Sequence, residues 1–266
     1  KCNCSSKLIE DLVEFHMKWS DRVIDDVQCF TVREIAATIR ALADKENIYE
    51  TIMTIYGARY PKSRREELRQ LFTSFSSFKN LVQDKPFYPK EFSNCFRNPN
   101  LFFALKSVLF SFKNKRHVII SAAEGVGVTQ FARWVAQYYD KINSQEQRQE
   151  KKNQEFFCVC SEETKCSDLI GRQKPSDKMD SSNELIKWKS GFLTKAIKKG
   201  KIAILDSIDE APATVTERLN GLLDQKYDGK IKYFEVPENP KKREVEINQN
   251  FRLLCTCKID KISQMS

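Results

Sequence analysis

Apolar residues in the first third of the chain recur three and four positions apart, the spacing that gathers them on one face of a helix. Leu8, Ile9, Leu12, Val13, Phe15 and His16 outline a first helix. A second starts at Phe30-Thr31-Val32-Arg33-Glu34-Ile35, with Thr31 and Glu34 spaced as a capping box, and carries on through Ile39 and Leu42. Tyr49 to Tyr60 forms a third periodic stretch stopped by Pro61, and Arg64 to Phe78 a fourth, richer in charge. The pattern predicts a small all-α bundle over residues 1–82. Pro86, Pro89 and Pro99, interleaved with Phe, make 83–100 a linker lying against a surface.

From Leu101 onward the period changes. His117-Val118-Ile119-Ile120-Ser121 is a short β-branched run, followed by a Gly-containing loop and by Phe131 to Tyr139 at helical spacing. Phe156 to Cys160, Ile202 to Leu205 and Phe251 to Cys257 read as further buried strands, and Ala213 to Leu223 as a helix. Strands separated by helices predict an α/β domain with a parallel sheet over 101–266. Tyr227 to Ile247, with Asp228-Gly229, Pro237 and Pro240 between alternating residues, predicts an exposed hairpin. Lys141 to Gln154 is polar and reads either as more helix or as a loose segment.

Composition narrows the class. Hydrophobic residues make up 41% and charged residues 30%, and no stretch approaches the ~18 apolar residues of a bilayer span, so a soluble globular chain with no membrane partner is expected. The net charge of +9 fits an RNA or acidic-protein partner or a solvated Lys-rich surface, and the absence of an aromatic-interleaved basic motif favours the last. Six of the nine Cys fall in C-x-C pairs, Cys2/Cys4, Cys158/Cys160 and Cys255/Cys257. Zinc sites space their first pair by two to four residues, and His16 and His117 are the sole nitrogen ligands, so buried thiols in a reducing compartment are expected instead of metal. An opening Lys1-Cys2-Asn3-Cys4 without Met or an apolar signal core, and an end at Ser266 just after an apolar run, suggest a piece of a longer chain.

The first candidate for chemistry is the loop Ala122-Ala123-Glu124-Gly125-Val126-Gly127-Val128-Thr129 between a strand and a helix. A phosphate loop follows G-x-x-x-x-G-K-[ST]: glycines let backbone amides curl around phosphates, Lys reaches their oxygens, and the hydroxyl binds magnesium. Gly127 and Thr129 match, whereas Ala122 replaces the first Gly and Val128 holds the Lys position. By itself the match is weak, and the loop reads better as a Gly-rich strand-to-helix turn without a ligand. Lys201-Ile202-Ala203-Ile204-Leu205-Asp206 adds a hydrophobic strand ending in an acid, where a Walker B magnesium ligand sits. The next residue, where a hydrolytic enzyme places its water-activating Glu, is Ser207; Glu210, in the turn before the next helix, is a poor substitute.

The run from Trp188-Lys-Ser-Gly191-Phe-Leu193 through Gly200-Lys-Ile-Ala-Ile-Leu205-Asp206 to Ala211-Pro212 and Val215-Thr-Glu217-Arg218-Leu219-Asn220 resembles the corresponding block of midasin-like, dynein-related AAA+ modules. Asp168-Leu169-Ile170-Gly171 is similar to their D-L-I-G segment after the second strand, and Asn250-Phe251-Arg252-Leu253 to the start of their sensor-1 strand. The resemblance implies a P-loop fold over 101–260 that takes ATP or ADP with magnesium. By position, the nucleotide would lie against Glu124, Gly125, Val126, Gly127, Val128, Thr129 and Gln130, and the magnesium against Thr129 and Asp206. Phe30-Thr31-Val32-Arg33-Glu34 and Tyr56-Gly57-Ala58-Arg59-Tyr60 are similar to segments of the small helical lid of such modules. A lid follows its own large domain, so residues 1–82 would close the preceding module, with Arg33 as a sensor-2 residue at that module's γ-phosphate.

Three departures, Val128, Ser207 and Lys258 at the sensor-1 Asn position, argue against hydrolysis and for a weakly held or structural nucleotide. The implied setting is a ring-shaped mechanochemical machine whose partners are neighbouring modules and a protein client. A midasin-like parent implies ribosome-precursor remodelling in the nucleus, and a ubiquitin-ligase parent with a dynein-like core implies the cytosol. The competing expectation is a non-catalytic scaffold that binds a partner through the Tyr227–Ile247 hairpin.

Overall fold

The computed structural model describes residues 6–23, 30–43, 47–78, 99–143, 155–175, 186–223 and 233–258. The chain divides into two compact units, Lys1–Phe110 and Ser111–Ser266. Most of the 83–100 segment, Cys2, Cys4 and Asp228-Gly229 lie outside the described residues.

In the first unit, α1 (Ser6–Arg22), α2 (Val32–Ala43), α3 (Ile48–Ile55) and α4 (Lys62–Ser74) turn their apolar faces onto one core. The capping box forms as its spacing predicts: the Thr31 amide donates to Glu34 Oε2 at 2.8 Å and the Arg33 amide to Thr31 Oγ1 at 3.2 Å. The third predicted helix is shorter than its periodicity, giving way at Tyr56 to a 3-10 turn over Gly57–Arg59 that precedes Pro61 and packs against α4. Phe15 is the hub, meeting Tyr56, Phe72, Phe75 and Phe78 edge-on, the favoured geometry for aromatic quadrupoles. Burial lowers the His16 pKa and raises that of Tyr56, so both stay neutral in their buried 3.0 Å hydrogen bond.

A fifth helix, α5 (Pro99–Lys113), was not anticipated, because its first residues read as linker. Lys106 pairs with Glu50 at 2.7 Å and Arg65 lies over the Phe103 ring, and the division between the units falls within this helix.

The second unit is built on parallel strands in the order β1 (Val118–Ala122), β8 (Arg252–Lys258), β5 (Ile202–Asp206), β2 (Phe156–Val159). All four strands expected from the sequence lie in this one parallel sheet. Every residue of β5, and all of β8 up to Lys258, is buried, as expected for central parallel strands covered on both faces. Helix α6 (Val128–Asn143) follows β1, and α8 (Phe192–Lys199) and α9 (Ala213–Leu223) flank β5 in sequence.

Between β2 and α8 the chain inserts α7 (Cys166–Leu169) and an antiparallel ribbon, β3 (Gly171–Pro175) with β4 (Ile186–Ser190), that sequence periodicity did not reveal. Gly191 explains the glycine after Trp188-Lys-Ser: a Cβ there would collide with the backbone of Asp168 and Leu169, so only glycine lets α8 start against α7. The expected hairpin is β6 (Tyr233–Glu235) with β7 (Glu244–Glu246), and its connection runs through Pro237 and Pro240.

Candidate functional site

The loop leaving β1 reaches α6 at the carboxyl edge of the sheet. Gly125 and Gly127 both adopt positive φ, 77° and 81°, a conformation costly for residues with a Cβ. Nothing lies within 4 Å of where their Cβ atoms would be, so the loop borders open space. Glu124, Val126 and Gln130 are exposed, and Val128 is half-buried as the first residue of α6.

Asp206 ends β5 at the same edge and is buried. Its carboxylate receives three short contacts. Thr129 Oγ1 lies 2.9 Å from each of its oxygens, and Thr256 Oγ1 donates to Oδ1 at 2.6 Å. Thr256 accepts in turn from the Ser207 amide at 2.9 Å, which holds Ser207 in a left-handed conformation at φ 56°. Two charge-assisted hydrogen bonds satisfy a carboxylate that burial alone would penalise. Thr256 is a site residue that sequence reasoning passed over; its signal is a lone hydroxyl in the buried run Leu253-Leu254-Cys255-Thr256-Cys257.

The rest of the edge is mainly acidic. Glu210 closes the 3-10 turn Ile208–Glu210, and both carboxylate oxygens of Asp209 in that turn are buried without a hydrogen-bond partner among the described residues. The cation here is Lys258, whose Nζ lies 2.8 Å from Glu124 Oε1 and 3.2 Å from Glu210 Oε1. These hydrogen bonds raise its pKa, so it stays charged. Arg133 on α6 is committed to Glu155 through a two-pronged contact at 2.7 Å.

Support comes from the other end of β8. Arg252 is buried and donates to the carbonyls of Phe112, Gln249 and Phe251. The Leu253 amide donates to His117 Nδ1 at 3.0 Å, and burial together with the Arg252 charge pushes the His117 pKa down to about 4. Both residues therefore anchor the strand ends instead of doing chemistry.

The residues at the carboxyl edge fit magnesium and phosphate chemically. A carboxylate beside a hydroxyl is the hard oxygen set that magnesium accepts alongside phosphate oxygens, and the open glycine loop offers the backbone surface. A family model, the AAA domain of the dynein-related subfamily, matches residues 117–263, a span that contains this loop, Asp206 and Thr256. The chain belongs to that family. The AAA fold accounts for the sheet, with loop and acid at one edge. A curated relative, midasin of Giardia intestinalis, is 39% identical over 66 residues, which cover 25% of this chain and 1% of that protein. This chain therefore corresponds to a very small part of the relative's length. A solved structure of a candidate ATPase from Cytophaga hutchinsonii overlaps 57% of this chain and 37% of its own at 14% identity, with a TM-score of 0.35. No helix among the described residues is long and apolar enough to cross a membrane.

Arg33, in the other unit, is an exposed residue in the first turn of α2.

Proposed function

We propose that the 111–266 unit binds ATP or ADP with magnesium as a structural or regulatory ligand and turns it over poorly. The observation that carries this reading is Thr129 Oγ1 within 2.9 Å of both Asp206 oxygens, the juxtaposition of a loop hydroxyl and a strand-end acid that a magnesium nucleotide requires. Backbone amides of residues 124–128 would receive phosphate oxygens, Gln130 would border them, and Thr129 and Asp206 would hold the metal. Magnesium, when bound, neutralises phosphate charge. Weak binding follows from Val128, which brings no ammonium to the phosphates.

Poor turnover follows from Ser207 and Glu210. A serine hydroxyl is no base at neutral pH, and the Ser207 backbone is tied to Thr256. Glu210 lies in the next turn, three positions past Ser207, and its carboxylate is engaged by Lys258 at 3.2 Å. The expected result of titrating the protein with ATP and magnesium is weak saturable binding with turnover at background. Turnover that follows the protein through purification and disappears in Asp206→Ala overturns this reading.

We read the wider setting as a multi-module, midasin-like remodelling machine, with neighbouring modules and a protein client as partners and large-subunit ribosome precursors in the nucleus as its substrate. Residues 1–82 would then be the lid of the preceding module. The exposure of Arg33 in a helix start fixed by the Thr31–Glu34 box supports a role toward a group outside its own unit. In the longer parent chain, Arg33→Ala should slow ATP turnover by the preceding module and leave nucleotide binding at 124–130 unchanged; a reversed pattern ends the lid assignment. If neither ATP nor ADP binds at millimolar concentration, the non-catalytic scaffold reading replaces this one.

A further inference from the structure

We propose that Lys258 delivers to the phosphate loop, from the end of β8, the ammonium that position 128 lacks. The inference rests on the nucleotide reading above and adds the identity of the group that meets the phosphates.

Position comes first. The parallel register of β1 with β8 pairs Ala122 with Lys258, so the last residue of β8 lies beside the point where the loop begins. Residues 122–130 contain no Lys or Arg, and α6 presents the isopropyl group of Val128 where a cation would otherwise start. Lys258 reaches across from the neighbouring strand and already touches the loop, through Glu124 at 2.8 Å.

Charge comes second. Glu124, Asp206, Asp209 and Glu210 gather at this edge, a setting that repels a polyphosphate unless a cation stands among them. Lys258 neutralises Glu124. Two of its three N–H donors are taken by the two glutamates, so one remains, among the described residues, for a phosphate oxygen. Glu124 is also the partner most easily exchanged: its side chain is 74% exposed, and an ion pair so open to water is weak. An arriving phosphate, with more charge and more acceptor oxygens than a carboxylate, displaces Glu124 from the ammonium. Lys258 itself is 39% exposed, which leaves its flexible stem room to follow.

The competing account is that Lys258 only balances Glu124 and Glu210. A double-mutant cycle read by calorimetric binding of ATP with magnesium separates the two, with adenosine as a phosphate-free control. The expected results are about tenfold weaker ATP binding in Lys258→Gln, unchanged adenosine binding, and tighter ATP binding in Glu124→Gln. The Lys258→Gln loss should persist in the Glu124→Gln background, Lys258→Arg should retain binding, and Val128→Lys should rescue Lys258→Gln. Thermal melting of each variant checks that the fold is intact. If Lys258→Gln loses nothing once Glu124 is already Gln, Lys258 is only a charge balancer and the proposal falls while the nucleotide reading stands. If neither the wild-type protein nor Val128→Lys binds ATP at all, the nucleotide reading falls and takes this proposal with it.

Discussion

The Thr129 hydroxyl lies 2.9 Å from both carboxylate oxygens of Asp206, although the two residues are 77 positions apart in the chain. They meet because Asp206 ends β5 and Thr129 follows the loop leaving β1, and the carboxyl ends of parallel strands share an edge. Removing the hydroxyl tests the pair as a magnesium site. Thr129→Val should leave the fold intact, since Thr256 still satisfies Asp206, and should abolish the gain in ATP affinity that magnesium brings. Titrations with magnesium and with EDTA read this directly; an unchanged magnesium enhancement in the variant sinks the assignment.

Restoring the ammonium at position 128 separates binding from chemistry. A charge-assisted hydrogen bond contributes ~1.5–3 kcal/mol net, so Val128→Lys should tighten ATP binding by about tenfold or more. Turnover should stay at background, because Ser207 is unchanged. A phosphate-release assay on the variant that shows sustained hydrolysis contradicts the role given to Ser207.

His117 makes stability pH-dependent. Its pKa falls from 6.5 to about 4 on folding, so between these values the unfolded chain binds more protons than the native one. The linkage costs nothing above pH 6.5, where both states are neutral, and destabilises the fold increasingly as pH drops toward 4, by roughly 3 kcal/mol at about 1.4 kcal/mol per unit. Urea unfolding midpoints measured from pH 7.5 to 5 should fall more steeply in the wild-type protein than in His117→Gln. Parallel curves for the two proteins contradict this account.

Gly191→Ala should be among the most damaging single-methyl changes. The added Cβ overlaps the backbone of Asp168 and Leu169 rather than a flexible side chain, so α7 or α8 must shift. Overpacking of this kind costs ~1–3 kcal/mol. Differential scanning calorimetry should show a melting temperature several degrees lower; an unchanged melt means that the α7–α8 contact is looser than described.

Much of this architecture was legible in the residues. Ile202-Ala203-Ile204-Leu205 and the Phe251 to Cys257 run are continuous apolar stretches too short for helices, and only the centre of a parallel sheet buries such stretches on both faces. The Thr31–Glu34 box and the Gly127-Val128-Thr129 turn are local patterns whose geometry depends on neighbours within a few positions, so sequence alone determined them. The β3–β4 ribbon escaped because Arg172-Gln173-Lys174 and Lys187-Trp188-Lys189 alternate cations with polar or amphipathic residues, without the apolar alternation that marks a strand. Helix α5 escaped because Pro99, which can open a helix at its first turn, reads in isolation as a linker residue. Only the tertiary structure decided that Thr256 completes the Asp206 shell and that Lys258 lies between Glu124 and Glu210. Those meetings are set by the parallel register of β8 between β1 and β5, a long-range pairing to which no local run of residues is sensitive.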